Sequence, residues 1–361
     1  MPVSARHNEN SEEMENIKMI DIKDISVSYE KGKKALDKVS FTLQPGTFTS
    51  LVGPSGCGKT TMLNILAGFL APDEGQIFVD GRDITRLEIQ KRKTAMVFQN
   101  YALWPHMTIF ENIAYGLKLK KMSKQEIEER VGSILDVIEI DKSCVKKRKP
   151  AELSGGQQQR IALARALVVE PTILLMDEPL SNLDAKVRQR LRIEIRDIQK
   201  KLGVTAVYVT HDQEEAMSMS DQVVVMNQGI IAQKGTPKEV YRRPQSSFVA
   251  EFLGHSNALW AKVEDGKILL GEQIIVDRTA ITGKKAKIII RANELTFDPQ
   301  PNSKIRICGK LKGCMYSGSY YRYLIDIEGQ EIFADSEKEL TDEREITLYL
   351  PEWGVYAYAD V

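Results

Sequence analysis

The chain contains no apolar run approaching the roughly 18 residues that a membrane-crossing helix needs. Its best candidate, Ile173-Leu174-Leu175-Met176, is far too short. It carries no net charge either, with fifty basic residues against fifty acidic ones, so there is no bulk electrostatic case for a nucleic-acid partner and none is expected. The four cysteines (Cys57, Cys144, Cys308, Cys314) form no C-x-x-C pair. That excludes a disulfide framework or a zinc cluster, fits a reducing cytoplasm, and leaves Cys308 and Cys314 to be read as inert packing residues. Met1 to Asn16 is polar and acidic without an apolar core, which excludes a secretory signal and reads as a disordered tail. Of the four histidines, His7, His106 and His255 lack any chemical context, and no internal repeat is evident.

What is present is an ordinary globular composition, 42% hydrophobic and 28% charged, over 361 residues, a length that predicts about two domains. From Ile17 to Leu253 short apolar runs alternate with helical patterns, the signature of an α/β domain. Phe48 to Val52 reads as a buried strand, Thr60 to Ala67 as the helix after it, and Ile173 to Asp177 and Ala206 to Thr210 as further buried strands. Val187, Leu191, Ile195, Ile198 and Leu202 recur at helical spacing, as do Ile127, Val131, Ile134 and Ile138. Thr236-Pro237-Lys238-Glu239 is a capping box with proline at the first helical position. After Gly254 the texture changes to β-prone runs at 267–270, 286–290, 304–307, 321–327 and 345–350. They predict a small all-β domain, a barrel of the oligonucleotide/oligosaccharide-fold kind.

Three stretches carry chemistry. Gly53-Pro54-Ser55-Gly56-Cys57-Gly58-Lys59-Thr60, with Thr61 next on the helix, fits G-x-x-x-x-G-K-[ST] between a strand and a helix. Glycines let successive N–H groups face phosphates, Lys59 reaches the β- and γ-phosphates, and the Thr60 hydroxyl is placed for Mg²⁺. A glycine-rich turn with a chance lysine is the bland alternative, and the flanking strand and helix argue against it. The buried run ending in Asp177-Glu178 supplies a metal-side acid, and beside it a candidate base for the attacking water. Strands also end in acids for solubility, but rarely in an adjacent pair downstream of a phosphate loop. Ser154-Gly155-Gly156-Gln157, ahead of Gln158-Gln159-Arg160, opens a helix whose free N–H groups make a second anion-binding pole.

With these three in order, the chain resembles the ATP-hydrolysing subunit of an ATP-binding-cassette (ABC) transporter, from about Ile20 to the end. The resemblance implies an α/β P-loop ABC ATPase domain over 17–253, a helical subdomain over about 100–165, and an OB-like β accessory domain over 254–361. It implies ATP and Mg²⁺ as ligands. Gln99 matches the glutamine that contacts Mg²⁺ and the water, and Ser181-Asn182-Leu183-Asp184 the loop crossing the dimer interface. His211 matches the histidine at the γ-phosphate, and Tyr29 the aromatic residue stacked on adenine, although a lone tyrosine at a strand end also packs without function. Asp177 and Thr60 are the other implied Mg²⁺ ligands, and Glu178 the base. The signature at Ser154 to Gln157 is expected to close over a nucleotide held by a second copy, which makes a homodimer the working unit.

The β domain resembles that of importer ATPases for maltose, sulfate, polyamines and ferric iron. The implied partners are separate transmembrane subunits and, indirectly, a solute-binding protein, at the cytoplasmic face of the membrane. His211-Asp212-Gln213-Glu214-Glu215-Ala216 has Glu214 where sugar importers carry valine, which resembles the iron, polyamine, phosphonate and sulfate branch more, ferric iron first. A sugar importer of the same architecture and a soluble ABC ATPase uncoupled from transport remain the alternatives. A nucleotide sensor without turnover is disfavoured by Glu178 and His211 together. Tyr101 to Gly116 lies where the family docks its membrane subunits, with packing of Trp104 and Phe110 the equal alternative.

Overall fold

A computed structural model describes residues 19–30, 32–276, 281–340 and 345–359. The tail expected at Met1 to Asn16 lies outside the described residues. The chain divides into two compact units, 1–237 and 238–361. In the first, β1 (Ile20–Glu30) and β2 (Lys33–Leu43) form a hairpin, and β3 (Phe48–Val52) feeds α1 (Lys59–Ala67) through the glycine-rich loop. Next come β4 (Glu74–Val79), β5 (Arg82–Asp83) and β6 (Thr94–Val97), then α2 (Ile109–Leu119), α3 (Lys124–Val137) and α4 (Gly155–Leu167). After these, β7 (Ile173–Asp177), α5 (Ala185–Leu202), β8 (Thr205–Val209), α6 (Gln213–Met219), β9 (Gln222–Asn227) and β10 (Ile230–Gly235) complete the unit.

The strands form two sheets. One is antiparallel in the order β2-β1-β4-β5, and the other runs β10-β9-β3-β8-β7-β6, parallel from β9 to β6 with β10 antiparallel at the edge. The parallel strands are apolar on both faces because both faces are covered. Side-chain alternation assigns each face its own core. Ile173 and Leu175 of β7, with Val207 and Val209 of β8, pack toward α1 and the antiparallel sheet, joining Met62, Leu66 and Phe41. Leu174, Met176, Ala206 and Tyr208 face the other way, toward α2, α4 and α5. Each fully buried large apolar side chain contributes about 1.5–3 kcal/mol, so strands of this composition cannot be turned outward.

The three middle helices start on strong signals. Thr108 with Glu111, Ser123 with Glu126 and Ser154 with Gln157 are capping boxes. The predicted stripes on α3 and α5 are buried at Ile127, Val131, Ile134, Ile138, Leu191, Ile195 and Ile198, while Leu202 at the last turn is exposed. In the stretch after Gln99, Tyr101 is buried and Phe110 packs on the helical core, while the Trp104 ring lies against Tyr115 and under Arg165.

The second unit holds α7 (Pro237–Arg242), which begins in the first, and α8 (Ser247–Phe252). Its strands are β11 (Ser256–Glu264), β12 (Lys267–Leu270), β13 (Gln273–Val276), β14 (Lys285–Arg291), β15 (Ser303–Tyr316), β16 (Tyr321–Ile327), β17 (Gln330–Ser336), β18 (Glu345–Pro351) and β19 (Val355–Ala359). They make two antiparallel sheets, β13-β12-β11-β14-β19 and β17-β16-β15-β18, over one shared core, in keeping with an OB-like domain. Helix α8 packs on β11, β14 and β19, so the compact unit begins ahead of the change in composition at Gly254. One expectation is corrected: Cys308 and Cys314 are exposed on β15, whose alternation turns Ile305 and Ile307 inward instead.

Candidate nucleotide-binding and hydrolytic site

The sheet topology gathers the chemistry. Strands β3, β8, β7 and β6 are parallel neighbours, and their carboxyl ends carry Gly53, His211, Asp177-Glu178 and Gln99 in turn. Ligands of open α/β sheets bind at this end. Register fixes the alignment, since Asp177 pairs with Val209 and leaves Glu178 level with the start of the His211 turn.

The loop after β3 is shaped by its glycines. A Cβ on Gly53 would meet the Met226 carbonyl at 2.2 Å, and one on Gly58 would meet the Leu36 side chain at 2.6 Å. Gly58 has φ 105° as the N-cap of α1, a left-handed geometry that glycine adopts freely. Gly56, at φ 78°, has open space around it instead. Lys59 is buried, and its Nζ donates to the carbonyl oxygens of Gly53 at 2.8 Å and Pro54 at 3.0 Å. Those dipoles leave its charge unneutralised, which is the environment an anion completes. Cys57 packs behind the loop with its Sγ 3.8 Å from Lys59 Nζ.

A cleft of about 540 Å³ opens over this loop, lined among others by Tyr29, Ser55, Gly56, Lys59, Thr60 and Glu178. Gly58 and Thr61 complete its floor, and the Tyr29 hydroxyl lies 3.1 Å from Thr61 Oγ1. Tyr29 itself is 64% exposed, an aromatic face standing beside a phosphate loop. The volume falls within the range of nucleotide-sized pockets. Sequence reasoning missed Lys33, Lys34 and Ala35, which line the cleft from the start of β2. Only the hairpin register brings them there, and no motif announces them.

Asp177 lies behind Thr60. Burial first, and then the Glu178 charge beside it, hold its carboxyl above the usual range, while Thr60 and Lys59 pull it partly back. A divalent cation would relieve both perturbations, and the oxygens of Thr60 and Asp177 suit a hard ion such as Mg²⁺. Glu178 sits at φ 43°, a left-handed conformation rarely taken by a non-glycine residue. It is held there by its N–H donating to Val209 O (3.0 Å) and by Ser181, whose hydroxyl donates to Glu178 O (2.9 Å). Its Oε2 lies 3.1 Å from His211 Nδ1. Gln99 is exposed and outside the cleft lining, and its carbonyl accepts from Asn182 Nδ2 at 3.1 Å. Gly53, Pro54, Cys57, Asp177 and His211 also stand outside that lining.

Ser154, Gly155, Gly156, Gln157 and Asp184 are elsewhere. Together they line a second cavity of about 530 Å³, which shares no lining residue with the first. Ser154 caps α4 there, its Oγ accepting from Gln157 N at 3.4 Å. Asp184 caps α5 in the same manner, accepting from Val187 N at 3.0 Å.

A glycine-rich loop with a buried lysine, a half-buried aspartate and a glutamate in left-handed conformation beside a histidine, all at adjacent strand ends, are the arrangement of a P-loop nucleoside triphosphatase. The family model for ABC transporters matches residues 36–181. The Fe(3+) ions import ATP-binding protein FbpC of Brucella suis is 45% identical over 320 residues, covering 85% of this chain and 90% of that protein. The spermidine/putrescine import ATP-binding protein PotA of Acetivibrio thermocellus is 40% identical over 347 residues, covering 95% and 97%. Among solved structures, cbiO1 from Clostridium perfringens, part of an ABC transporter complex, is 30% identical with a TM-score of 0.58, covering 62% of this chain and 90% of that one. A bacterial ABC transporter cassette solved as a dimer is 33% identical with a TM-score of 0.53, covering 60% and 98%. The chain belongs to the ABC transporter family, as the ATPase subunit of an importer.

Proposed function

We propose that two copies of this chain pair head to tail, sandwich two ATP molecules, and use their hydrolysis to drive import of ferric iron through separate membrane subunits. The observation that carries the pairing is the separation of the motifs. The P-loop and the Ser154 signature line different cavities with no residue in common, so one chain offers two half-sites. A second copy, turned about a two-fold axis, brings each signature over the other's P-loop. The cassette solved as a dimer lends this support.

Within each composite site the roles follow from position. Tyr29 stacks on adenine, the amides of Gly53 to Thr61 and the Lys59 ammonium take the phosphates, and the helix N-terminus of α1 favours their charge. Thr60, Asp177 and Gln99 would hold Mg²⁺, which when bound neutralises the β- and γ-phosphates. Glu178 accepts a proton from water as the water oxygen bonds the γ-phosphorus and the bond to the β-phosphate oxygen breaks. His211 holds the Glu178 carboxylate through Nδ1. Gly155 and Gly156 present their amides to the γ-phosphate held by the partner, Ser154 and Gln157 hold that helix start through their capping box, and Asp184 lies in the interface beside them.

Ferric iron is favoured over a polyamine by 45% identity to an iron importer against 40% to a polyamine importer. No helix among the described residues is long and apolar enough to cross a membrane. The reading therefore places the chain peripherally, on the cytoplasmic face, with a solute-binding protein acting upstream. Glu178→Gln is expected to bind ATP, to lose hydrolysis by about 10²–10⁴-fold, and to accumulate as a dimer in light scattering. Normal turnover in that variant would remove Glu178 as the base, and a monomer at every ATP concentration would remove the pairing. Uptake of labelled ferric iron against spermidine in a deletion strain decides the solute.

A further inference from the structure

The loop Ser181–Asp184 and the turn around His211 are joined by one side chain. Arg188, in the first turn of α5, donates from NH2 back to the Leu183 carbonyl at 3.1 Å and from NH1 across to Asp212 Oδ2 at 3.4 Å. Asp212 follows His211 and is fixed in turn, its N–H donating to Thr210 Oγ1 at 2.9 Å. Thr210 and Tyr208 both donate to Oε2 of the buried Glu215 at 2.7 Å. The circuit closes on the reacting group. His211 Nδ1 meets Glu178 Oε2, and the Glu178 carbonyl is held by Ser181 at the start of the same loop.

Arg192 donates to the same Asp212 Oδ2 at 3.0 Å and its Nε is likewise buried without a partner, but of the two only Arg188 also reaches the loop carbonyl. The Nε of Arg188 is buried without a hydrogen-bond partner, and Glu215 Oε1 lies 3.8 Å from it, beyond bonding distance. The bond to Asp212 is long as well. Leu183 and Asp184 also line the second cavity, beside Ser154. Whatever fills that cavity presses on the loop whose carbonyl Arg188 holds.

We infer that Arg188 is a positioning residue that makes the Glu178–His211 pair in one cleft respond to the occupant of the same chain's signature cavity. On the reading proposed above, that occupant is the nucleotide held by the second copy. Arginine suits the task because its planar fork reaches a carbonyl and a carboxylate at once, which lysine cannot do in one geometry. Two loops bonded through one side chain form the kind of contiguous element through which coupling passes.

The test uses the full chain and three variants. Arg188→Gln is expected to bind a fluorescent ATP analogue within about twofold of the parent, to lose about tenfold in kcat, and to lower the Hill coefficient for ATP toward one. Arg188→Lys is expected to recover only part of both. Arg196→Gln is the control for stability, because Arg196 bonds Asp221 further along α5 and touches neither loop. It is expected to lower Tm while keeping kcat and the Hill coefficient. The inference is overturned if Arg188→Gln keeps the parental kcat, if its loss lies in affinity, or if Arg196→Gln loses as much kcat at equal loss of Tm. Failure of the pairing itself is distinguishable, since the parent would then show no cooperativity while kcat against affinity still reports on Arg188.

Discussion

Asp177 and Glu178 are adjacent, and the two solve opposite problems. Asp177 ends a buried strand where its charge is unwelcome, and its carboxyl is raised by burial and by its neighbour. Glu178 has left the strand for a left-handed turn that puts its carboxylate in the cleft. Strain of this kind persists only where surrounding structure imposes it, and it clusters at functional sites. The sign of the Asp177 shift gives a prediction. A carboxyl raised in the folded state stabilises the fold at low pH and loses that contribution as pH rises through its folded value. Removing the charge therefore relieves the nucleotide-free protein near neutrality. Asp177→Asn is expected to raise the stability of that form at pH 7, in line with the trade of stability for activity at functional sites. The gain is expected to shrink toward pH 4, and Mg²⁺-dependent hydrolysis to be lost. Thermal melts at two pH values and a phosphate-release assay check both, and a variant less stable than the parent at pH 7 would contradict the argument. The acid pair was legible in sequence because four apolar residues precede it. Arg188 and Glu215 were not, because their partners come from α5, β8 and α6 and no spacing rule joins residues so far apart.

At the level of elements, the helix behind the P-loop is held at both ends. Its C-terminal carbonyls, which no helix can satisfy internally, are met by Gly68 in a left-handed cap and by Arg92. Arg92 is buried just ahead of β6, and its guanidinium donates to the carbonyl oxygens of Ile65 (2.6 Å), Leu66 (3.2 Å), Thr85 (2.6 Å) and Leu87 (2.9 Å). No carboxylate is among these partners, so the cation is stabilised by helix and loop dipoles. Arg92→Leu is expected to orphan the carbonyls at once and cost about 3 kcal/mol, by loss of a buried hydrogen-bond network. Arg92→Lys, with one ammonium for four acceptors, is expected to restore less than half. Urea titration followed by circular dichroism measures both, and a loss under about 1 kcal/mol for the leucine variant would contradict it. The P-loop helix itself was plain in the sequence, but its anchor was a lysine-flanked arginine without pattern. The β unit shows the same limit. Runs such as Tyr321–Ile327 matched observed strands end to end, whereas β11, β13, β17 and β19 were not anticipated. Part of their pairing is made by side-chain amides. Asn257 bonds both N–H and C=O of Phe333, Gln330 does so for Trp260, and Gln273 for Cys308, stitching one sheet to the other. A polar residue standing in for a strand partner shortens the hydrophobic alternation, to Leu259 and Ala261 in β11 and to Ile332 and Ala334 in β17.

At the scale of the whole molecule, the question is whether a complete site belongs to one chain or to two. The two motifs on separate cavities make the answer measurable by mixing defective copies. Lys59→Ala removes the buried ammonium of the phosphate cleft and leaves the signature cavity untouched. Ser154→Arg fills the signature cavity at some cost in helix capping, about 1 kcal/mol, and leaves the cleft intact. Either variant alone is expected to be inactive in both of its composite sites. In an equal mixture half of the pairs are mixed, and each mixed pair has one site with both lesions and one site with none. Activity is therefore expected to return to about a quarter of the parental rate per chain, if subunits exchange freely and the restored site turns over by itself. The recovery should rise with total protein concentration, since the mixed pair forms by mass action. A linear dependence on concentration, or a single variant that hydrolyses ATP at the parental rate, would instead place a whole site within one chain.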